Sequence, residues 1–358
     1  MFDESKLQEL AASIRPLDQG AIEDARARQA ILTKPEGALG FLEELSVQLA
    51  GIAGEVPLPA PSHPAIAVFA GDHGVVAQGV TPHPSEITVQ MAMNMAGGGA
   101  AVNVLARQMG AQLYVVDVGV ANPLPEGSSV LDRRIADGTA DFSAGPAMSR
   151  EQALAAIGVG VEIAQQAISE GADILCMGEM GIGNTTPAAA LISVFTRQDA
   201  ATVTGRGAGS DDAMVAHKAD VIARSIELNA ANADDPVGAL AAVGGYEHAA
   251  LVGYILAGAA AGVPVVMDGV IACSAAVTAV AIEPDARGYL ISGHAGAEPG
   301  IQAATKHLTL HPLIDLQLRL GEGSGALLAL PVIRAAALTL GEMATFADAA
   351  VTDIKTQD

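Results

Sequence analysis

The sequence predicts an α/β protein, a parallel sheet with helices on both faces, accompanied by a smaller helical part built from both ends of the chain. Three observations carry that expectation. Short apolar runs alternate with helical stretches through the middle of the chain. Those runs are continuously apolar rather than alternating, the pattern of strands buried on both faces. Both ends read instead as long helical patterns.

Taken in order, the first forty residues place Leu7, Leu10, Ile14, Ile22 and Ile31 among charged neighbours, an amphipathic helical pattern. Thr33-Lys34-Pro35-Glu36-Gly37 breaks it, and a second helix is expected from Leu39 to Ala53. The run Val56-Pro57-Leu58-Pro59-Ala60-Pro61 reads as an extended linker. Strands follow at Ala65–Ala70, Leu113–Val118, Asp173–Met177, Val263–Met267 and Tyr289–Ile291. Helices are expected at Glu86–Met95, Arg150–Ser169 and Ala188–Thr196. The tail from Leu308 returns to helix, including Ala326–Phe346 with an interruption at Pro331. No fixed-period repeat is present.

Composition narrows the function. In 358 residues, 40 acidic against 18 basic side chains leave a formal charge of −22. A field of that sign repels phosphodiester backbones and anionic headgroups, so neither nucleic acid nor a membrane surface is an expected partner. Hydrophobic residues make up 51% of the chain but aromatics only 3%, so Ala, Val, Leu and the 40 glycines must do the burying. Cys176 and Cys273 form no disulfide framework, which points to the reducing cytoplasm. The acidic N-terminus lacks the basic and apolar regions of a secretory signal. Ala249–Met267 is uncharged over 19 residues, close to the roughly 20 that a spanning helix needs. Its Ala and Gly content and the Gly262-Val263-Pro264 break favour a buried helix, a turn at Gly262 and a short buried strand.

Ligands of open parallel sheets collect outside the carboxyl ends of the strands. The loops expected there are Gly71-Asp72-His73-Gly74, Gly178 to Thr186, Asp268-Gly269 and Ser292-Gly293-His294; a fifth, Gly321-Glu322-Gly323-Ser324-Gly325, precedes an apolar helix. In the second, Gly178, Gly181 and Gly183 let backbone N–H groups approach an anion. Asn184, Thr185 and Thr186 add side-chain donors, and Pro187 suits the first turn of the next helix. The same residues equally fit a tight, polar-capped turn. No Walker loop occurs.

Glu322 stands between glycines in a stretch poor in charge. Desolvation there would raise its pKa and suit it to general-base work; a helix N-terminus would lower it instead, and composition does not choose. Lys218, one of five lysines, suits either an anion contact or a solvated helix face. The histidines show no zinc spacing, and no metal is expected. Gly97-Gly98-Gly99 with Asp117 faintly matches a dinucleotide fingerprint, but the preceding residues look helical where a strand is needed.

Several of these segments together resemble one family, the nicotinate-nucleotide:dimethylbenzimidazole phosphoribosyltransferases of cobalamin lower-ligand synthesis. The resemblance runs over nearly the whole chain. It is carried by Leu32 to Gly40, Ala70-Gly71-Asp72-His73-Gly74-Val75, Gly178 to Ala190, Val243-Gly244-Gly245-Tyr246-Glu247, Val265 to Gly269 and Arg319 to Ala326. It implies a Rossmann-like main domain over residues 31–304, a small helical domain from residues 1–30 and 305–358, and a homodimer. The implied reaction moves phosphoribose from nicotinate mononucleotide to 5,6-dimethylbenzimidazole with inversion at the anomeric carbon and no cofactor. Glu322 would be the general base and Glu179 a second acid at the site. Gly178, Gly181, Gly183, Asn184, Thr185, Thr186, Lys218, Gly296 and Gly325 would hold phosphate and ribose. His83, Met91, Leu320 and Gly321 would line the base pocket. His83, Met91 and Gly296 stand where the family often has Ser, Gln and Ser, which leaves the preferred base open. A binding protein on the same fold and a dinucleotide oxidoreductase are the competing classes.

Overall fold

The computed structural model describes residues 2–352. Three helices open the chain, α1 (Glu4–Ser13), α2 (Gln19–Ile31) and α3 (Phe41–Ala53). Then come β1 (Pro64–Gly71), α4 (Glu86–Ala96), α5 (Ala101–Met109), β2 (Gln112–Gly119) and β3 (Leu131–Asp132). The long α6 (Arg150–Ser169) leads to β4 (Ile174–Met180), α7 (Thr185–Thr196), the one-turn α8 (Ala200–Val203) and α9 (Asp212–Leu228). Next are α10 (Pro236–Val243), α11 (Tyr246–Ala260), β5 (Val265–Met267), α12 (Val270–Ile282), β6 (Leu290–Ser292), α13 (Pro299–His307) and α14 (Ser324–Glu342).

These six strands form one parallel sheet in the order β3-β2-β1-β4-β5-β6. That order is Rossmann-like: the winding direction reverses between β1 and β4, and a crevice opens there at the carboxyl ends. β1 is buried along its length, and its side chains divide strictly by parity. Ala65, Ala67 and Phe69 join the core under α6, α7, α10, α11 and α12. Ile66, Val68 and Ala70 join the opposite core, built with α3, α4, α5 and α14. This is why the strand reads as an unbroken apolar run.

With few aromatics, backbones themselves come together. Gly160 of α6 faces the Ala250 carbonyl, and Gly253 of α11 faces the Ile157 carbonyl; a Cβ at either would collide with main chain.

The stretch Ala249–Met267 resolves as expected into buried helix, a left-handed Gly262 (φ 71°) and the short β5. One expectation needs correction. The C-terminal helix is unbroken through Pro331, which sits on its exposed side. There the carbonyl that loses its partner can turn to water, so the proline is accommodated. α14 also covers one face of the sheet with Ala326, Leu327, Leu330 and Ile333. Among the described residues α14 is the one helix long and apolar enough to cross a membrane, and 56% of its most apolar window is buried. β3 leaves no trace in the sequence, since two residues carry no periodicity.

Candidate active site

A cavity of about 290 Å³ opens where the loops after β4, β5 and β6 meet the loop before α14. Its apolar wall includes Met91, Met180, Ile182, Val270, Ile271, Ile301, Leu318 and Leu320. Its polar groups are Glu179, Asn184, Thr185, His294, Glu298, Arg319 and Glu322. A niche of about 60 Å³ shares Gly181, Ile182, Asn184 and Thr185 with it and adds Thr81, Gly183, Arg206, Ser210 and Lys218.

Glu322 occupies an unusual backbone. Gly321, Glu322 and Gly323 have φ of 84°, 62° and 85°, three successive left-handed residues. For the glutamate this costs about 1–3 kcal/mol, offset by anchoring from β5. The Asp268 carboxylate accepts N–H groups from Gly323 (3.3 Å), Gly325 (2.7 Å) and Ala326 (3.1 Å). Asp268 therefore takes the place of a side-chain N-cap on α14 and pins the loop that carries Glu322. Gly325 also packs against the His294 ring so closely that a Cβ would overlap it.

The Glu322 side chain is buried, and its Oε2 lies 3.5 Å from the Val102 N–H in the first turn of α5. The helix terminus it meets is thus that of α5 and not of its own α14. Burial raises its pKa, the Val102 amide opposes this, and the nearby Asp268 charge adds to the rise. The net direction is upward.

Glu179, the last buried residue of β4, is pushed up to about 8 by burial, with Asp268 adding to the rise and the Asn184 amide opposing it. Asn184 Nδ2 donates to Glu179 Oε2. The absent side chain at Gly321 matters here, because a Cβ would run into Glu179 Oε1. At neutral pH Glu179 is therefore mostly a neutral acid beside Glu322.

The loop Gly181 to Asn184 turns directly into α7, where Thr186 donates to the Gly183 carbonyl at 3.0 Å and Pro187 has no N–H, so that Thr185 is left to offer its backbone N–H at the helix start. Thr185 Oγ1 accepts from Lys218 Nζ at 2.9 Å, and the same ammonium reaches the Gly205 carbonyl at 3.3 Å. Lys218 is fully buried, and desolvation lowers its pKa against the pull of Glu298. It is not the solvated helix-face lysine that sequence allowed.

Of the expected site residues, Glu179, Gly181, Asn184, Thr185, Met91, Leu320, Gly321 and Glu322 line the cavity, and Gly183 and Lys218 line the niche. Five line neither. Gly178 lies within β4, where a Cβ would press on the Glu322 carbonyl and Val68. Thr186 is turned into the protein. The Gly325 N–H is committed to Asp268. Gly296 faces Ile301 and His294. His83 stands at the rim, its Nε2 3.0 Å from the Ala208 carbonyl, and Ala208 lines both spaces. Sequence reasoning did not assign Asp268, His294, Glu298 or Arg319 a role. The first two lie in loops already expected at strand ends, and Arg319 opens one of the segments that carry the family resemblance; Glu298 carried no signal beyond its charge and its spacing from His294. The faint dinucleotide fingerprint dissolves, because Gly97–Gly99 joins α4 to α5 and Asp117 is tied to Arg134 at 3.0 Å.

A phosphoribosyltransferase family profile matches residues 14–351. The chain is thus of the phosphoribosyltransferase class. A nicotinate-nucleotide–dimethylbenzimidazole phosphoribosyltransferase from Salinispora tropica is 52% identical, over 96% of this chain and 99% of its own. The Pseudomonas putida protein of the same name is 50% identical, over 95% and 96%. The crystal structure of CobT from Thermus thermophilus superposes with a TM-score of 0.89 at 43% identity, covering 93% of this chain and 99% of that one. The chain belongs to the family of nicotinate-nucleotide–dimethylbenzimidazole phosphoribosyltransferases.

Proposed function

We propose that this chain transfers phosphoribose from nicotinate mononucleotide to 5,6-dimethylbenzimidazole, giving α-ribazole 5′-phosphate and nicotinate. The observation that carries the reading is the pairing of two buried carboxyl groups, Glu179 and Glu322, in one largely apolar cavity beside a helix N-terminus. One ring nitrogen of the base attacks the anomeric carbon from the face opposite nicotinate, so configuration inverts. The carbon–nitrogen bond to nicotinate breaks as it forms, and that electron pair neutralises the pyridinium. The other ring nitrogen loses its proton to Glu322. No acid is needed for the leaving group, which departs already neutral at nitrogen.

Glu179, holding its proton, supplies a hydrogen-bond donor without a second negative charge beside Glu322. The phosphate fits the niche bounded by Gly183, Thr185, Arg206 and Ser210, with Lys218 acting through its hydrogen bond to Thr185. Met91, Leu320 and Gly321 offer the flat base an apolar wall, and His83 at the rim and Gly296 behind Ile301 tune which bases enter. The two unpaired, buried cysteines support a reducing, cytoplasmic setting, and the family resemblance supports a homodimer.

Incubating the protein with both substrates and separating the products by chromatography tests the reading. Release of free nicotinate that requires the benzimidazole is expected. Absence of nicotinate, or a reaction that consumes NADH instead, would overturn it.

A further inference from the structure

Behind the anion loop lies a second cluster of ionisable groups that the transfer reaction does not use. His73 follows β1, and Glu247 and His248 lie in the first turn of α11. All three side chains are buried, at 1%, 0% and 0% exposure. His73 Nε2 and His248 Nδ1 approach Glu247 Oε1 at 2.7 and 3.0 Å, within ion-pair distance. Among the described residues, His73 Nδ1, His248 Nε2 and Glu247 Oε2 have no hydrogen-bond partner. Three such atoms at one buried point are a cost for a fold to carry.

Glycines let the backbone close tightly around them. A Cβ at Gly245 would meet all three residues, at 2.5 Å from His73 Cε1, 2.7 Å from Glu247 Oε2 and 2.8 Å from His248 Nδ1. At Gly181 a Cβ would lie 3.1 Å from His73 Nε2, and at Gly71 another would lie 3.0 Å from Glu247 Oε2. One ligand atom from each of the three residues falls within 4.8 Å of the others.

We propose that His73, Glu247 and His248 form a structural site for a divalent transition-metal ion of the zinc class. Two imidazoles and one carboxylate are a recurrent donor set for such ions, with metal–nitrogen and metal–oxygen bonds of about 2.0–2.2 Å. An ion among the three atoms needs only a slight opening of their present spacing. Charge also closes: Glu247 and the neighbouring buried Asp72, whose Oδ1 has no partner among the described residues, together balance a doubly charged ion. The site would tie the loop after β1 to the start of α11 directly beneath Gly181. No electron or group transfer is involved; binding displaces protons from the imidazoles.

The test is elemental analysis of the full-length protein, purified without a histidine tag and dialysed against zinc, together with Co²⁺ titration read by visible d–d absorption. One equivalent of zinc per chain, a Co²⁺ spectrum of low coordination number and a raised thermal midpoint are expected. His248→Gln and His73→Gln should each weaken binding by more than about tenfold. Should those variants misfold, X-ray absorption on the zinc-loaded wild type must show two imidazoles and one carboxylate oxygen. Folded wild-type protein that keeps no metal and gives no Co²⁺ band would overturn the proposal and leave a proton shared by His73 and Glu247 as the occupant. Undiminished metal in a folded His248→Gln variant would overturn it too, by placing the ion elsewhere.

Discussion

At the scale of single residues, the two acids of the cavity should part company in experiment. Glu322→Gln keeps the side chain's shape and its place in the left-handed loop but cannot take a proton. Turnover should fall by about 10²–10⁴, the usual contribution of a general base, with the Michaelis constants little changed; steady-state kinetics on both substrates reads this directly. Glu179→Gln mimics the neutral acid already present and should keep turnover within about tenfold. Its signature lies in pH. The native chain holds this proton up to about pH 8, whereas an unperturbed glutamate releases it near 4.5. The folded state therefore binds more protons across that window, and stability falls as pH rises through it. Urea unfolding from pH 4.5 to 8.5 should show this decline in the wild type and a flatter profile in Glu179→Gln. An unchanged slope would show that the buried carboxyl ionises normally.

Elements decide how those residues meet. Asp268, at the end of β5, holds three amides around the start of α14, so Asp268→Ala should loosen the loop that presents Glu322. Turnover is expected to drop by about tenfold or more, together with about 1–2 kcal/mol of stability from the lost cap; Asp268→Asn, which keeps an accepting oxygen, should recover part of both. A drop in stability alone would make Asp268 a cap and nothing more. This anchor shows where a sequence stops being informative. Strand β1 was legible because burial on two faces leaves an unbroken apolar run, and α6 because a serine cap and twenty residues of pattern define both ends. The glycines marked the loop after β4 and the loop of Glu322 as parts of one crevice, and both line the cavity. Asp268 was visible only as a polar residue at a strand end, because its partners lie far away in sequence. β3 was too short to leave a pattern, and Pro331 misled because exposure on a helix's outer side is a property of packing. Gly178 and Gly325 looked like substrate-facing glycines but serve close packing and a cap.

For the whole molecule, charge and packing make separate predictions. The net charge of −22 opposes the approach of an anionic nucleotide but not of a neutral benzimidazole. Added salt should therefore lower the Michaelis constant for nicotinate mononucleotide and leave that for the base unaffected, since the Debye length shrinks to about 8 Å near 0.15 M. Equal salt effects on both would mean that local dipoles at the anion loop mask the global field completely. The contact of α6 with α11 depends on backbone approach at Gly160 and Gly253. Gly253→Leu should cost about 3 kcal/mol, the upper range for overpacking, read as a shifted urea midpoint.

The covering of one sheet face by α14 bears on how the protein is made. A ribosome delivers this helix, and Glu322 just ahead of it, after every strand and the loop following β4 have emerged. A nascent chain can thus fold much of its sheet while the patch of that face beneath this helix still lies bare. It gains a competent site only when the last helix leaves the exit tunnel and docks.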